Sequence, residues 1–489
     1  MKRLLLLASL FLPLTAHAQS DTDGVTAFLK AKMRQEQIPA MQIAVVRHGK
    51  IVKNAAYGVA NVENGAPAST ESVFSINSCT KAFTGVAIMQ LAEAGKLKVD
   101  DPISNYLDDL PPAWQSITIK QVLAHVSGLP NIIDDKENLI GDGSEASAWA
   151  AVKTLPLEFR AGERFRYNQT GYVILGKIID KLSGEPFAKF IEDHQFKPAS
   201  MPHTRFGDSS DVIPHSAGGY SYLHNVDGVW TKGERLSAIY VTFPTFFRTA
   251  AGITSTSGDL ANWLIALQSG KLLKDKASLQ LLWTSVVLND GTTSGMSALL
   301  NGSGLGWPVT TRAEHPAAAP IGGMRSTFFV YPKDDLSVIV LTNLQGANPE
   351  NFVDEVAAYY IPDMHEANGF GLSPTLKALR GELLRQGFDK APQVVADLKA
   401  LDPSFQLKEQ ELNAWGYKLL EQKHPDQAVA ILKLNATLFA DSWNVYDSLA
   451  EVLEDTGDRP GAIENYHRSL QLNPKNSNAS NHLRKLKAA

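Results

Sequence analysis

A serine hydroxyl becomes a nucleophile only when a base takes its proton, and the tetrapeptide Ser78-Cys79-Thr80-Lys81 supplies both groups. Three residues apart on a helix, Ser78 and Lys81 share a face and lie within reach of one another. The helix is carried by Ala82 to Ala94. Phe83, Val86, Ala87, Gln90, Leu91 and Ala94 recur at helical spacing, and Gly95 stands where a left-handed C-cap belongs. Ser78 is then placed at the helix N-terminus, where unpaired N–H groups and the positive dipole end favour a developing oxyanion. A lysine base has its own requirement. With a pKa of about 10.4 in water it is protonated at pH 7, so it must be desolvated or set beside another cation. Taken alone the pattern is weak, because any serine-capped helix with a lysine one turn in matches it.

Other chemistries find less support. Cys79 is the single cysteine, and one step along the helix from Ser78 it points about 100° away, as small buried filling does. The 12 histidines show neither H-E-x-x-H nor paired Cys-His spacing, so no metal and no cofactor is expected.

Lys2 and Arg3 precede the apolar run Leu4 to Leu14, and Ala16-His17-Ala18 offers a small-x-small cleavage site before Gln19. Residues 1–18 read as a secretory signal peptide, the run being shorter than the roughly 20 residues that span a bilayer. A periplasmic or secreted mature chain is expected, without stable membrane insertion and, having one cysteine, without an internal disulfide. Loss of Lys2 and Arg3 takes the formal charge from −5 to −7, which argues against nucleic acid as a partner.

With 489 residues the chain is too long for one ordinary domain, and 44% hydrophobic against 20% charged residues supports two or three packed cores. Met41 to Arg47 and Ile51 to Tyr57, joined by His48-Gly49-Lys50, read as a β-hairpin. Ser326 to Tyr331 and Leu336 to Asn343 make a second, late hairpin around Pro332-Lys333-Asp334-Asp335. Strands at both ends of a mostly helical stretch predict an α/β domain in which the ends pair and the middle forms a helical lobe, with the site in the cleft.

Beyond residues 362–372 strand signals vanish. Trp443, Tyr446, Leu449, Ala450, Leu453, Ala462, Tyr466, Ser469 and Pro474 fit a 34-residue tetratricopeptide repeat, and Leu412, Trp415, Gly416, Leu419, Ala428 and Leu432 fit a looser copy before it. An all-α domain over 373–489 is predicted, with repeats near 409–442 and 443–476. Its concave groove would take a protein or peptide partner.

Several stretches together carry a resemblance. They are Phe74-Ser75-Ile76-Asn77-Ser78-Cys79-Thr80-Lys81 through Asp100-Asp101-Pro102-Ile103, then Thr118-Ile119 to His125-Val126-Ser127-Gly128-Leu129-Pro130. Tyr167-Asn168-Gln169-Thr170-Gly171-Tyr172 and Ala251-Gly252-Ile253 to Asp259-Leu260 follow in order. On these blocks residues 22–362 resemble the serine β-lactamase and penicillin-binding superfamily, most of all its class C-like branch of esterases, peptidases and β-lactamases. The resemblance implies a β-lactamase/DD-peptidase-like antiparallel sheet flanked by helices. It implies that Ser78 attacks a carbonyl and forms an acyl-enzyme, with Lys81 and Tyr167 as base and proton relay. The oxyanion hole falls to the N–H groups of Ser78 and Gly323, and His125 reads as scaffold.

Two positions depart from the family pattern. Gln169 stands for the usual asparagine, and Pro320-Ile321-Gly322-Gly323 fits the third motif without its lysine or histidine; His315-Pro316-Ala317 is an alternative start that lacks the glycine. Gln169, Ile321 and Gly322 are the expected substrate contacts. The missing cation disfavours substrates with a carboxylate, such as β-lactams and stem peptides, unless Arg312 or Arg325 replaces it. The expected function is an exported serine hydrolase acting on esters or small peptides and amides. The alternatives are a peptidoglycan or peptide receptor with impaired catalysis, and a β-lactamase or DD-carboxypeptidase.

Overall fold

The computed structural model describes residues 18–134, 138–226, 229–365 and 368–488. The expected signal peptide therefore lies outside the described residues, apart from Ala18, which opens a helix running to Gln35. The chain divides into two compact units that part between Pro362 and Asp363.

In the first unit the two ends of the sequence pair. Ala40–Arg47 and Lys50–Asn61 form a hairpin whose turn residues, His48 and Gly49, both take positive φ (51° and 65°), as the tightest hairpin turn requires. Ser326–Tyr331 and Leu336–Thr342 form the late hairpin. The hairpins join antiparallel, from Met41 opposite Thr342 to Arg47 opposite Leu336. Short strands at Ala317–Ala318, Pro308–Thr310 and Gly302–Ser303 extend one edge, and Ala66–Pro67 the other. With Ile321–Gly322 beside Ser326–Tyr331, the sheet has nine strands among the described residues. Leu336–Thr342 and Ser326–Tyr331 are buried at every position, which explains their nearly unbroken apolar sequence.

The nucleophile segment is set by a second, small sheet. Phe74 and Ser75 pair with Ser255 and Thr254, and the Ile76 N–H donates to Ile253 O at 3.0 Å. A 3-10 turn, Asn77–Cys79, then leads into the helix Thr80–Glu93, which ends with Gly95 at φ 71°. The sequence suggests an amphipathic helix, but every residue from Thr80 to Met89 is buried. Its polar groups are satisfied inside the fold: Thr84 Oγ1 donates to Thr249 O at 2.7 Å, and the Ile253 N–H donates to Thr80 Oγ1 at 3.2 Å.

Trp263, on the helix Ser257–Gln268, ties this helix to the sheet. Its ring stacks on Phe83 at 3.9 Å and on Trp307 at 5.8 Å, with Phe328 edge-on at 6.0 Å. All four side chains are fully buried, so the nucleophile helix, the sheet and the loop before Pro308 move as one packed body.

The second unit is all helix among its described residues. Ser373 caps Pro374–Gln386 by accepting the Leu376 N–H. Ala391–Leu401 follows, then Glu409–Glu421, Pro425–Leu438, Trp443–Asp455, Arg459–Leu472 and Ser477–Ala488. Glu409 and Trp443 open equivalent helices, as do Pro425 and Arg459, an offset of 34 residues in both cases. Leu412, Trp415, Leu419, Ala428, Leu432, Leu449, Ala450, Leu453, Ala462 and Tyr466 share one apolar core.

Candidate active site

Three side chains converge on one oxygen. Tyr167 donates its hydroxyl proton to Ser78 Oγ at 2.8 Å, and Lys81 Nζ lies 3.3 Å from the same oxygen. Lys81 reaches it from one helical turn along, and Tyr167 from the segment just before the helix Thr170–Ser183.

Lys81 is 4% exposed, and burial drives its amine well below the ordinary lysine range, partly opposed by the nearby Cys79. Nζ donates to Ala250 O at 2.9 Å and lies 4.8 Å and 5.0 Å from the ring centres of Tyr167 and Tyr172. Desolvation thus favours the neutral amine, the form able to accept a proton, without a second cation beside it. Burial pushes the Tyr167 hydroxyl far above its usual range, opposed by its bond to Ser78, so the phenol keeps its proton and donates. The remaining hydrogen on Ser78 Oγ is left for the lysine lone pair. Cys79 is fully buried with Sγ 3.6 Å from Ser326 O, and its thiol is pushed well up by burial, so it is filling rather than a second nucleophile.

Tyr167 is held by the block that precedes it. His125, in the left-handed region at φ 59°, stacks on Tyr167 and Tyr172 with ring centres 4.5 Å and 5.2 Å away. Its Nδ1 accepts the Asn168 N–H at 3.1 Å, and burial keeps the imidazole neutral by lowering it well below its usual range. Asn168 Nδ2 donates to Leu129 O at 2.8 Å, while its Oδ1 caps the following helix through the Gly171 N–H at 2.8 Å. His125 is therefore a scaffold for the phenol.

The cleft around Ser78 is narrow, about 10 Å³, and is walled by Met296, Ser303, Gly306, Trp307, Pro308 and Ile321 besides Lys81, His125 and Tyr167. Of the expected substrate contacts only Ile321 lines it. A Cβ on Gly322 would stand 2.0 Å from Ile76 O, so that glycine lets the sheet edge meet the nucleophile turn and does not face substrate. Gln169 is one residue aside: its N–H donates to Asn131 Oδ1 at 3.0 Å, and its side-chain Oε1 is buried without a hydrogen-bond partner among the described residues.

Gly323, the expected oxyanion-hole partner of Ser78, does not line the cleft either. Gly323 turns away from the cleft at φ 57°, and a Cβ there would meet Asn77 Nδ2 at 2.6 Å. Phe328 N–H donates to Pro320 O at 3.2 Å, and Ile321 stands opposite Thr327. Hydrogen-bonded and non-hydrogen-bonded pairs alternate along an antiparallel ladder, so Ile321 directs its N–H to the free edge, along which the Asn77–Cys79 turn packs. The Ser78 N–H, in the first turn of a helix, has no partner within that helix. Register directs the N–H of Ile321 toward the turn that carries Ser78; Gly323, two residues on, shares that parity, and of the two only Ile321 lines the cleft.

The arginines that might replace the missing cation are engaged elsewhere. Arg312 makes two bonds to Asp354, at 2.7 Å and 2.8 Å, and Arg325 lines a different cavity. His315 Nδ1 lies 2.9 Å from Asp334 Oδ1, outside the cleft. Sequence motifs gave no notice of Ala250 or of Met296, Ser303 and Trp307. The one signal was the glycine pair Gly304 and Gly306: a Cβ on Gly306 would stand 2.7 Å from Lys81 O, so the wall is pressed onto the nucleophile helix.

Comparison with known proteins identifies the family. The family model described as Beta-lactamase matches residues 25–360, and the chain belongs to that family. Protein flp of Staphylococcus aureus (strain MW2) is 27% identical over 350 residues, 70% of this chain and 66% of its own length. The putative penicillin-binding protein PbpX of Bacillus subtilis (strain 168) is 31% identical over 235 residues, 48% of this chain and 56% of its own length. The chain thus spans less than two thirds of these relatives. Among solved structures, the octameric penicillin-binding protein homologue from Pyrococcus abyssi shares the fold, with TM-score 0.59 and 24% identity over 74% of this chain and 81% of that one. No helix of the described residues is long and apolar enough to cross a membrane.

Proposed function

We propose that the protein is a serine hydrolase that carries an acyl group on Ser78 and acts on neutral esters or small amides. The reading rests on the meeting of a desolvated amine and a protonated phenol at one serine oxygen. Lys81 takes the Ser78 proton, and Oγ attacks the carbonyl carbon. The N–H groups of Ser78 and Ile321 hold the oxyanion. Tyr167 then gives its proton to the leaving group and regains one through Lys81. Water, activated by the same pair, releases the acid and restores Ser78.

Substrate charge follows from the walls. Among the residues lining the cleft, Lys81 is the single lysine or arginine, and burial favours its neutral form. A substrate carboxylate would lose its water there without gaining a counter-ion, so β-lactams and stem peptides bind poorly and uncharged acyl groups well. Export by the leader at 1–18 and partner binding by the repeats at 409–442 and 443–476 belong to the same proposal. The 34-residue offset of the helix pairs supports the repeats.

The test is hydrolysis of a short-chain nitrophenyl ester by the chain from Gln19 onward, beside Ser78→Ala. Turnover that disappears in the variant supports the hydrolase. Negligible rates in both, with retained binding of a peptidoglycan peptide, would favour the receptor reading instead.

A further inference from the structure

The nucleophile turn has a charged neighbour that the reaction does not use. Arg325, just ahead of the strand Ser326–Tyr331, is 6% exposed. Burial brings its guanidinium down to about 10, which leaves it charged at neutral pH. Among the described residues no carboxylate stands within ion-pair distance of it. Nη2 donates to Asn77 Oδ1 at 3.2 Å, and Nε has no hydrogen-bond partner. A buried charge of this kind is costly unless something of opposite sign or good hydrogen-bonding capacity meets it.

The space beside it is suited to such a group. Arg325 lines a small cavity of about 50 Å³ whose walls include Ser75, Ser216, Gly218, Gly219 and Asn343. Gly219 gives the guanidinium room: a Cβ there would stand 2.9 Å from Nη1. Asp208 also borders the cavity, but its carboxylate already accepts the N–H groups of Ser210 and Phe243 at 2.8 Å and 2.7 Å and lies 3.7 Å from Arg248. Its charge is spent on those partners, and the arginine remains uncompensated.

We propose that this cavity is an anion site in which the Arg325 guanidinium takes a small oxyanion, a carboxylate or a phosphate, through charge-assisted hydrogen bonds. The site lies on the Asn77 side of the nucleophile turn, and Arg325 is not among the residues that line the Ser78 cleft. Its occupancy does not depend on what Ser78 does.

The test is the melting temperature of the chain from Gln19 onward, titrated with sodium acetate or with sodium phosphate against sodium chloride at equal ionic strength. The expected result is a saturable rise with acetate, with phosphate, or with both, and at least a tenfold loss of apparent affinity in Arg325→Met. A rise with acetate alone assigns a carboxylate, and a rise with phosphate alone a phosphate. Should Arg325→Met fail to fold, Gly219→Ala intrudes on the guanidinium and is expected to weaken the same titration. No rise beyond chloride, or equal rises in wild type and variant, would overturn the proposal.

Discussion

Replacing Lys81 by methionine removes the base while keeping a side chain of similar length in an apolar setting, and it has two consequences that can be measured separately. For activity, loss of a positioned general base costs about 10²–10⁴-fold in rate, or about 3–5 kcal/mol of barrier. For stability, the sign follows from linkage. The folded protein holds Lys81 at a depressed pKa because of burial, whereas the unfolded chain keeps it at about 10.4. Between those two values the unfolded chain carries one more proton. Wild-type stability is therefore full above the unfolded value and is lost as pH falls through the window toward the folded value. The slope is that of one proton, about 1.4 kcal/mol per pH unit. In Lys81→Met that contribution is absent, and groups common to both proteins cancel in the difference. Urea unfolding of both proteins at several pH values up to 10 reads this directly. The account expects wild type to gain on the variant by about 1.4 kcal/mol for each unit of pH inside the window. A difference independent of pH throughout would show that Lys81 is protonated in the fold, and the lysine-base mechanism would fall with it.

Three further outcomes follow. Tyr167→Phe removes the 2.8 Å bond to Ser78 and the proton relay, and kcat/KM for a nitrophenyl ester should fall about 10²–10⁴-fold; a loss under fivefold would remove the phenol from the mechanism. Gly322→Ala forces a methyl to 2.0 Å from Ile76 O, so thermal unfolding should show a loss of about 1–3 kcal/mol together with loss of turnover, whereas unchanged activity would contradict the close approach. In wild type, kcat/KM should rise with pH through the depressed Lys81 value and show no descending limb up to pH 10, because burial holds the Tyr167 proton well above its usual range. A bell-shaped profile falling before pH 9 would mean that a different acid takes part.

Much of the site was legible because its chemistry is local in sequence. Ser78 and Lys81 lie one helical turn apart, and the Tyr167 motif and the His125 block are each continuous in sequence and bond to one another, Asn168 to Leu129 O and Thr170 to Pro130 O. The paired ends were legible too, since Leu336–Thr342 reads as a strand buried on both faces. What escaped was whatever depends on register between distant segments. That Ile321 rather than Gly323 lines the cleft depends on where the short strand meets Ser326–Tyr331 and turns back, which the motif alone does not tell. The Ala250 carbonyl that orients Lys81 carries no side-chain signal at all, being a backbone atom brought in from 169 residues away. The nucleophile helix misled in another way: its stripe of apolar residues suggested one wet face, yet Trp263 and the Trp307 loop cover the rest.

The central claim is that an acyl group becomes covalently bound to Ser78, and intact-mass measurement after mixing with an excess of a nitrophenyl ester at low temperature tests it most directly. The account predicts one added acyl mass per chain in wild type, located by peptide mapping to the segment holding Ser78, and none in Ser78→Ala. Hydrolysis of the ester at full rate by Ser78→Ala, or an acyl mass located on any other residue, would contradict it.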